Sequence, residues 1–284
     1  MVLLAVLILG RTLGVSAPPV GGLDPAVFSP GACIAYAPIA GDRHLTVFLD
    51  AGHGGVDPGA TGTTESGRTI YEADETLPVE LDAAVLLRRG GFRVVVSRTR
   101  NSTVVRLRRG DVAGHELTVK GVHDDVAARD VCANDAHADV LVGIYFDAGG
   151  PSNAGSITGY DADRSFAADN VRLANLVQYD VLAAMNARGW NIPNGGVEPD
   201  NQLGSSLTAR SVRYGHLLLL GPAARGWFTT PSEMPGAVIE PLFITDRSEG
   251  SIAASRDGQH VIAGGLASAI EQYFAPAKRS RSAH

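Results

Sequence analysis

A chain of 284 residues with 45% apolar content, 19% charge and 34 glycines is long enough for one large or two small domains, and its composition is that of a globular protein with many loops. Its net charge of -6 argues against a nucleic-acid binder and against a protein held on anionic surfaces by charge.

Val2 to Leu9 is an almost uninterrupted apolar run, and Val15-Ser16-Ala17 supplies the small residues of a signal-peptidase site. Arg11 interrupts the segment and no basic stretch precedes it. Residues 1–17 therefore read as a weak export signal, too short to span a bilayer comfortably. An exported protein of the periplasm, cell wall or extracellular space, with no stable membrane insertion once the signal is removed, is the expectation. Residues 18–44, rich in Pro, Gly, Ala and Ser, read as an arm or linker. Cys33 and Cys132 are the only cysteines. In an exported chain they form either one disulfide, tying the arm to the main domain, or two buried thiols.

The first strand is expected over Leu45 to Asp50. After a glycine-rich loop around His53 and a polar stretch to Tyr71, Glu72 leads into a helix running to Arg89. Leu77, Val79, Leu81, Ala84, Val85 and Leu86 form its buried side, Pro78 lies in its first turn, and Gly90-Gly91 stops it. Phe92 to Ser97 is a second strand. Thr99 to Lys120 is charged and irregular, with Arg100, Arg106, Arg108 and Arg109 as a solvated face or as contacts for an acidic substrate. A helix from Val122 to His137 and a third strand, Asp139 to Asp147, follow. Alternating strands and helices imply parallel pairing with crossovers. The expected fold is thus a single α/β domain, residues 45–277, with a twisted, mostly parallel sheet flanked by helices on both faces.

Beyond it, Asn153 to Asp163 reads as a hairpin or turn, Phe166 to Arg188 as a long amphipathic helix, and Trp190 to Ser206 as a long loop of the kind that is usually functional. His216 to Leu220 and Ala237 to Ile244 are expected strands, and Gly258 to Phe274 is the closing helix. Residues 278–284 form a basic tail, and no internal repeat is present.

Two places carry chemistry. The apolar run Leu45 to Leu49 stops at Asp50 and breaks into glycines on both sides of His53, as when a buried strand delivers a functional loop. A neutral imidazole there is a frequent metal ligand. Glu240 ends the apolar run Pro235 to Ile239. A carboxylate so placed is costly unless paired, protonated or metal-bound. Asp50 and Asp57 read as loop-capping residues that support the loop without ligating. His44 and His123 read as solvated or capping residues, and His216 as a residue at a strand edge.

The run Leu49-Asp-Ala-Gly-His-Gly-Gly-Val-Asp-Pro-Gly-Ala60, with Glu72 after the loop, Ser97-Arg98-Thr99, Arg129 with Asn134, Ala138-Asp139, Gly236-Ala-Val-Ile-Glu240, Phe243 and Glu249, resembles the zinc-dependent N-acetylmuramoyl-L-alanine amidases of the Amidase_3 type, bacterial cell-wall enzymes. The resemblance covers Val47 to Phe274. It implies one Zn2+ per chain, held by a histidine in the glycine loop, the following glutamate and a second histidine at the end of the third strand, with a late glutamate as catalytic base. His53 and Glu72 match the first two ligands and Glu240 the base. Tyr145 stands where the second histidine would be, leaving Tyr145 or Asp147, with His137 behind them, as candidates for the third ligand. The implied activity is hydrolysis of the amide between N-acetylmuramic acid and L-alanine, with peptidoglycan as partner, no nucleic acid and a monomeric chain. The alternatives are an inactive amidase fold that binds peptidoglycan or regulates cell-wall enzymes, and a metallo-amidase turned to another amide.

Overall fold

The computed structural model describes residues 21–22, 26–150, 152–203 and 213–276; the expected export signal and the basic tail lie outside them. An eight-stranded mixed sheet organises the domain. Its strands are β1 (Gly21–Gly22), β2 (Ala32–Tyr36), β3 (Thr46–Ala51), β6 (Arg93–Arg98), β9 (Val140–Ile144), β10 (Ser156–Tyr160), β11 (Asn194–Pro199) and β12 (Gly236–Glu240), in the spatial order β1-β2-β6-β3-β9-β12-β10-β11. Two small hairpins, β4 (Thr61–Thr63) with β5 (Thr69–Tyr71) and β7 (Val112–Ala113) with β8 (Glu116–Leu117), stand apart from it.

The centre, β6-β3-β9-β12, is parallel. These strands are buried on both faces, which is why they read as continuous Val, Ile, Leu and Phe runs rather than as alternations. Alternate residues go to opposite sides. Val47, Leu49, Val94, Val96, Val140, Val142 and Ile239 join one core, covered by α1 (Glu72–Arg89), α3 (Ala167–Asn186) and α5 (Arg256–Tyr273). Phe48, Val95, Leu141 and Val238 join the other, covered by α2 (Val119–Asp135) and by Phe28, Leu219, Leu220 and Met234.

The stretch read as an arm contributes β2, antiparallel to β6, and β1 at the sheet edge. Cys33 on β2 is bonded to Cys132 on α2, with the Cα atoms 5.7 Å apart, so the disulfide alternative holds. Helix α1 starts at Glu72, placing Pro78 inside the helix rather than in its first turn. Three corrections concern the later chain. Asn153 to Asp163 is not a hairpin or turn but carries β10, paired with β11 and β12 in the main sheet. The loop expected over Trp190 to Ser206 contains β11, an edge strand parallel to β10. His216 to Leu220 is not a strand but a turn. Its leucines are apolar because they pack inward: Leu219 lies against Gly143 and Leu220 against Gly236. A short helix, α4 (Arg247–Ala253), was not expected; Asp246 caps it, accepting hydrogen bonds from the amides of Ser248 and Glu249.

Direction along the sheet decides where chemistry can sit. β3, β6, β9 and β12 point their C-terminal ends to one edge, where ligands of open α/β sheets bind. β10 is antiparallel to β12, with Ile157 opposite Glu240, so β10 and β11 end at the far edge.

Candidate active site

At the C-terminal edge, β3 releases the chain into the loop that carries His53. This residue has φ of 59°, a left-handed backbone costing a non-glycine residue about 1–2 kcal/mol. Such strain persists only when the surroundings over-determine it, and here they do. The amides of Gly54 and Asp57 each donate to the other residue's carbonyl. The Thr76 hydroxyl donates to the Gly52 carbonyl at 3.0 Å, and the buried Arg98 guanidinium donates to the carbonyls of Ala51, Gly52 and Ala73. From α2, the Arg129 guanidinium donates to the Asp50 and Asp125 carboxylates and to the carbonyls of Ala51 and His53. Burial works against the Arg129 charge, but Asp50 and Asp125 outweigh it and hold its pKa well above the ordinary value.

The imidazole lies between two carboxylates. His53 Nδ1 is 2.8 Å from Asp57 Oδ2, and Nε2 is 3.1 Å from Glu72 Oε2. Desolvation pulls its pKa down, but Glu72 and the hydrogen bond to Asp57 win and raise it to about 10. Asp57 also accepts from the Gly59 amide, the supporting role expected of it; His53 outweighs burial and holds its carboxyl below the usual range. Glu72, at the first position of α1, is buried and fixed from two sides: Ala60 N donates to Oε2 and Phe146 N to Oε1, each at 2.9 Å. Gly59 closes the pocket. A Cβ there would sit 2.6 Å from His53 Cδ2 and 2.7 Å from Glu72 Oε2, and its φ is +66°.

Asp147 and Glu240 come up beside this pair. Burial raises both carboxyls, Glu240 to about 8, with Asp147 and then Glu72 adding repulsion; Asp147 is also raised by Glu72. The Asp147 and Glu240 side chains share a hydrogen bond. Tyr145 goes elsewhere. Its ring packs edge-on to His53, with centroids 5.5 Å apart, and its hydroxyl donates to Asp50 Oδ2 at 3.1 Å. Desolvation and the Asp50 charge hold its pKa well above the ordinary 10. His137, at the far end of β9, is not part of the group. The structure thus assembles His53, Glu72, Asp147 and Glu240 and turns the Tyr145 hydroxyl away to Asp50.

Arg129 and Glu249 belong to the pattern read from the sequence, but their partners, and the parts played by Asp125 and Glu80, were not singled out there. Asp125 and Arg129 are four residues apart on α2, a spacing that allows an ion pair, but nothing local marks Asp50 as its third member. Glu80, fully buried, accepts from the amides of Ala51 and Ser97 and from the Ser97 hydroxyl. Glu249 accepts from the amides of Gly155 and Phe243, tying the loops before β10 and after β12 together. Arg106, Arg108 and Arg109 are exposed. A cleft of about 650 Å³, lined by residues that include Trp190, Pro193, Asp246 and Glu249, opens on the same edge, and His53, Glu72, Asp147 and Glu240 are not among its lining.

Residues 47–272 match the family model of the Amidase_3 N-acetylmuramoyl-L-alanine amidases. The chain belongs to this family. Its amidase domain is 25% identical over 240 residues to the uncharacterized protein YqiI of Bacillus subtilis (strain 168), covering 84% of this chain and 88% of that one. It is similar to the N-acetylmuramoyl-L-alanine amidase of Clostridium difficile 630, with 25% identity, a TM-score of 0.54 and coverage of 81% and 96%. It also shares the fold of the CwlD amidase of Clostridioides difficile, solved in complex with the GerS lipoprotein, with 20% identity, a TM-score of 0.61 and coverage of 81% and 98%. These likenesses support the enzyme class and the single-domain, mostly parallel α/β fold expected above. They also support peptidoglycan as substrate and action outside the cytoplasm. Among the described residues no helix is long and apolar enough to cross a membrane.

Proposed function

We propose that the chain hydrolyses the amide joining the lactyl group of N-acetylmuramic acid to L-alanine, with one zinc ion held by His53, Glu72 and Asp147 and with Glu240 as base. The observation that carries the reading is the convergence of His53 Nε2 and Glu72 Oε2 at 3.1 Å beside two further acids. Tetrahedral ligands at about 2.0–2.2 Å from zinc lie roughly 3.3–3.5 Å from one another, so the pair is close to ligand spacing. The remaining observations fit the same ion. Asp57 on Nδ1 fixes the ring and leaves Nε2 as the ligand nitrogen. Gly59 keeps a Cβ out of the space. The repulsion among Glu72, Asp147 and Glu240 is what a dication relieves.

Asp147 is preferred to Tyr145 because the Tyr145 hydroxyl is committed to Asp50 and a phenolate next to a buried carboxylate is expensive. Bound zinc would polarise the scissile carbonyl and acidify water. Glu240 would take the proton of the attacking water and return it to the leaving amine. The exported location and the monomeric state remain part of this proposal, and the Cys33–Cys132 bond suits an oxidising compartment.

A second reading has its own observation. With a phenol at the position of the family's second histidine, the fold serves as a peptidoglycan-binding module without catalysis. Elemental analysis and muropeptide release from purified peptidoglycan separate the two. The enzyme reading expects zinc lost in His53→Ala and Asp147→Ala, retained in Tyr145→Phe, and product release that disappears in Glu240→Gln. Absence of His53-dependent zinc, with zinc gained by Tyr145→His, would establish the binding module instead.

A further inference from the structure

At the far edge of the sheet, three residues from separate segments meet. Asp161 follows β10, Asp200 opens the 3-10 turn after β11 (Asp200–Gln202), and His216 lies in the turn that packs under β9 and β12. Their ligand atoms all lie within 4.8 Å of one another. His216 Nδ1 is 2.9 Å from Asp161 Oδ2 and 3.3 Å from Asp200 Oδ1, close to the spacing of atoms that share one small cation. His216 Nε2 is 3.6 Å from Asp163 Oδ2, so a fourth carboxylate stands behind the imidazole, where metal-binding histidines are typically held.

A second observation points to a ligand at this cluster. The Asp161 side chain is fully buried, and although its Oδ1 accepts from the Asp163 amide, its Oδ2 receives no hydrogen bond from any described residue. The nearby Nδ1 hydrogen-bonds to Asp200 Oδ1 instead. The Arg164 guanidinium, three residues on from Asp161, is spent on the carbonyls of Leu220, Gly221 and Ser232. A buried carboxylate oxygen left so, facing a second carboxylate, is costly unless something positive stands there.

We propose that Asp161, Asp200 and His216 Nδ1 form a second divalent-cation site, structural in purpose, with Asp163 orienting the imidazole through Nε2. One nitrogen and two carboxylate oxygens favour a transition cation of the zinc class over calcium or magnesium, which take oxygen ligands. The ion joins the ends of β10 and β11 to the turn beneath the sheet, on the opposite edge from His53. Asp163, 66% exposed at its side chain, marks the route from solvent.

The test uses the untagged full chain carrying His53→Ala, which removes the catalytic ligand and so separates this site from the one above. After chelator dialysis the protein is titrated with zinc chloride and with manganese chloride, reading calorimetric stoichiometry and thermal midpoint. One further zinc equivalent is expected, binding more tightly than manganese and raising the midpoint. Asp163→Asn weakens it about 10- to 100-fold, and Asp161→Asn and His216→Gln weaken it more. The circular dichroism of each variant is compared with the parent. Should both ligand variants fail to fold, the parent titration decides alone. No zinc uptake and no midpoint rise in His53→Ala would overturn the proposal and leave the cluster as a histidine hydrogen-bonded among carboxylates. Uptake unchanged in folded Asp161→Asn and His216→Gln would overturn it as well.

Discussion

Arg129→Met tests how the His53 loop is held. The guanidinium is almost completely buried and spans Asp50, Asp125, and the carbonyls of Ala51 and His53. Methionine fills comparable volume but leaves the Asp50 carboxylate buried with only the Tyr145 hydroxyl as described side-chain partner. Breaking a buried pair from one side costs about 3–5 kcal/mol, roughly a hundred- to several-thousand-fold in the unfolding equilibrium. At a urea slope of about 3 kcal/mol/M, the upper range for small proteins, the unfolding midpoint of the disulfide-intact chain falls by about 1–1.7 M. Adding Asp50→Asn removes the stranded charge, so the double variant recovers at least about 1 kcal/mol over Arg129→Met. A single variant within about 1 kcal/mol of the parent, or a double variant no more stable than the single, would refute the argument that Arg129 acts by compensating Asp50.

Gly59→Ala places a methyl against His53 Cδ2 and Glu72 Oε2 and also forces a left-handed residue; stability drops by at least about 1 kcal/mol, and zinc retention drops with it, read by thermal melting and elemental analysis. Burial, with some help from Asp50, raises the Glu80 carboxyl from 4.5 to about 8. The folded state therefore keeps a proton that the unfolded chain releases, so this contribution to stability is complete below about 4.5 and is lost as pH climbs to about 8; Glu80→Gln flattens that part of the melting profile, and an unchanged slope would count against the assignment. Replacing Cys33 and Cys132 by Ala opens a loop of 99 residues and costs about 2–5 kcal/mol, measured by urea unfolding against the oxidised parent.

Much of this was written locally in the sequence. Val47 to Leu49 and Val140 to Val142 are buried on both faces and read as continuous apolar runs, so the parallel centre was legible. His53, Asp57 and Glu72 lie within twenty residues of one another, and their glycine punctuation gave the loop away. What failed was whatever depends on distant partners. Leu217 to Leu220 is apolar because of what lies above it, and a short apolar run does not distinguish a strand from a packed turn. Asn194 to Pro199, with two glycines and a proline, has the composition of a loop, and only the offered edge of β10 makes it a strand. The Tyr145 hydroxyl finds Asp50 across 95 residues of sequence, so neither its alternation with Asp147 nor the residue type forecast where it would go.

The reversal of β10 has a consequence for how such a chain can change over generations. β11 ends and β12 begins at the same far edge, so the connection between them leaves and re-enters the sheet on the side away from His53 and Glu240. Changes made there act first on the packing of Leu219, Leu220 and Met234 beneath the sheet rather than on the register of the catalytic edge. Variation at these core residues thus bears on durability, and variation after β3, β9 and β12 bears on chemistry.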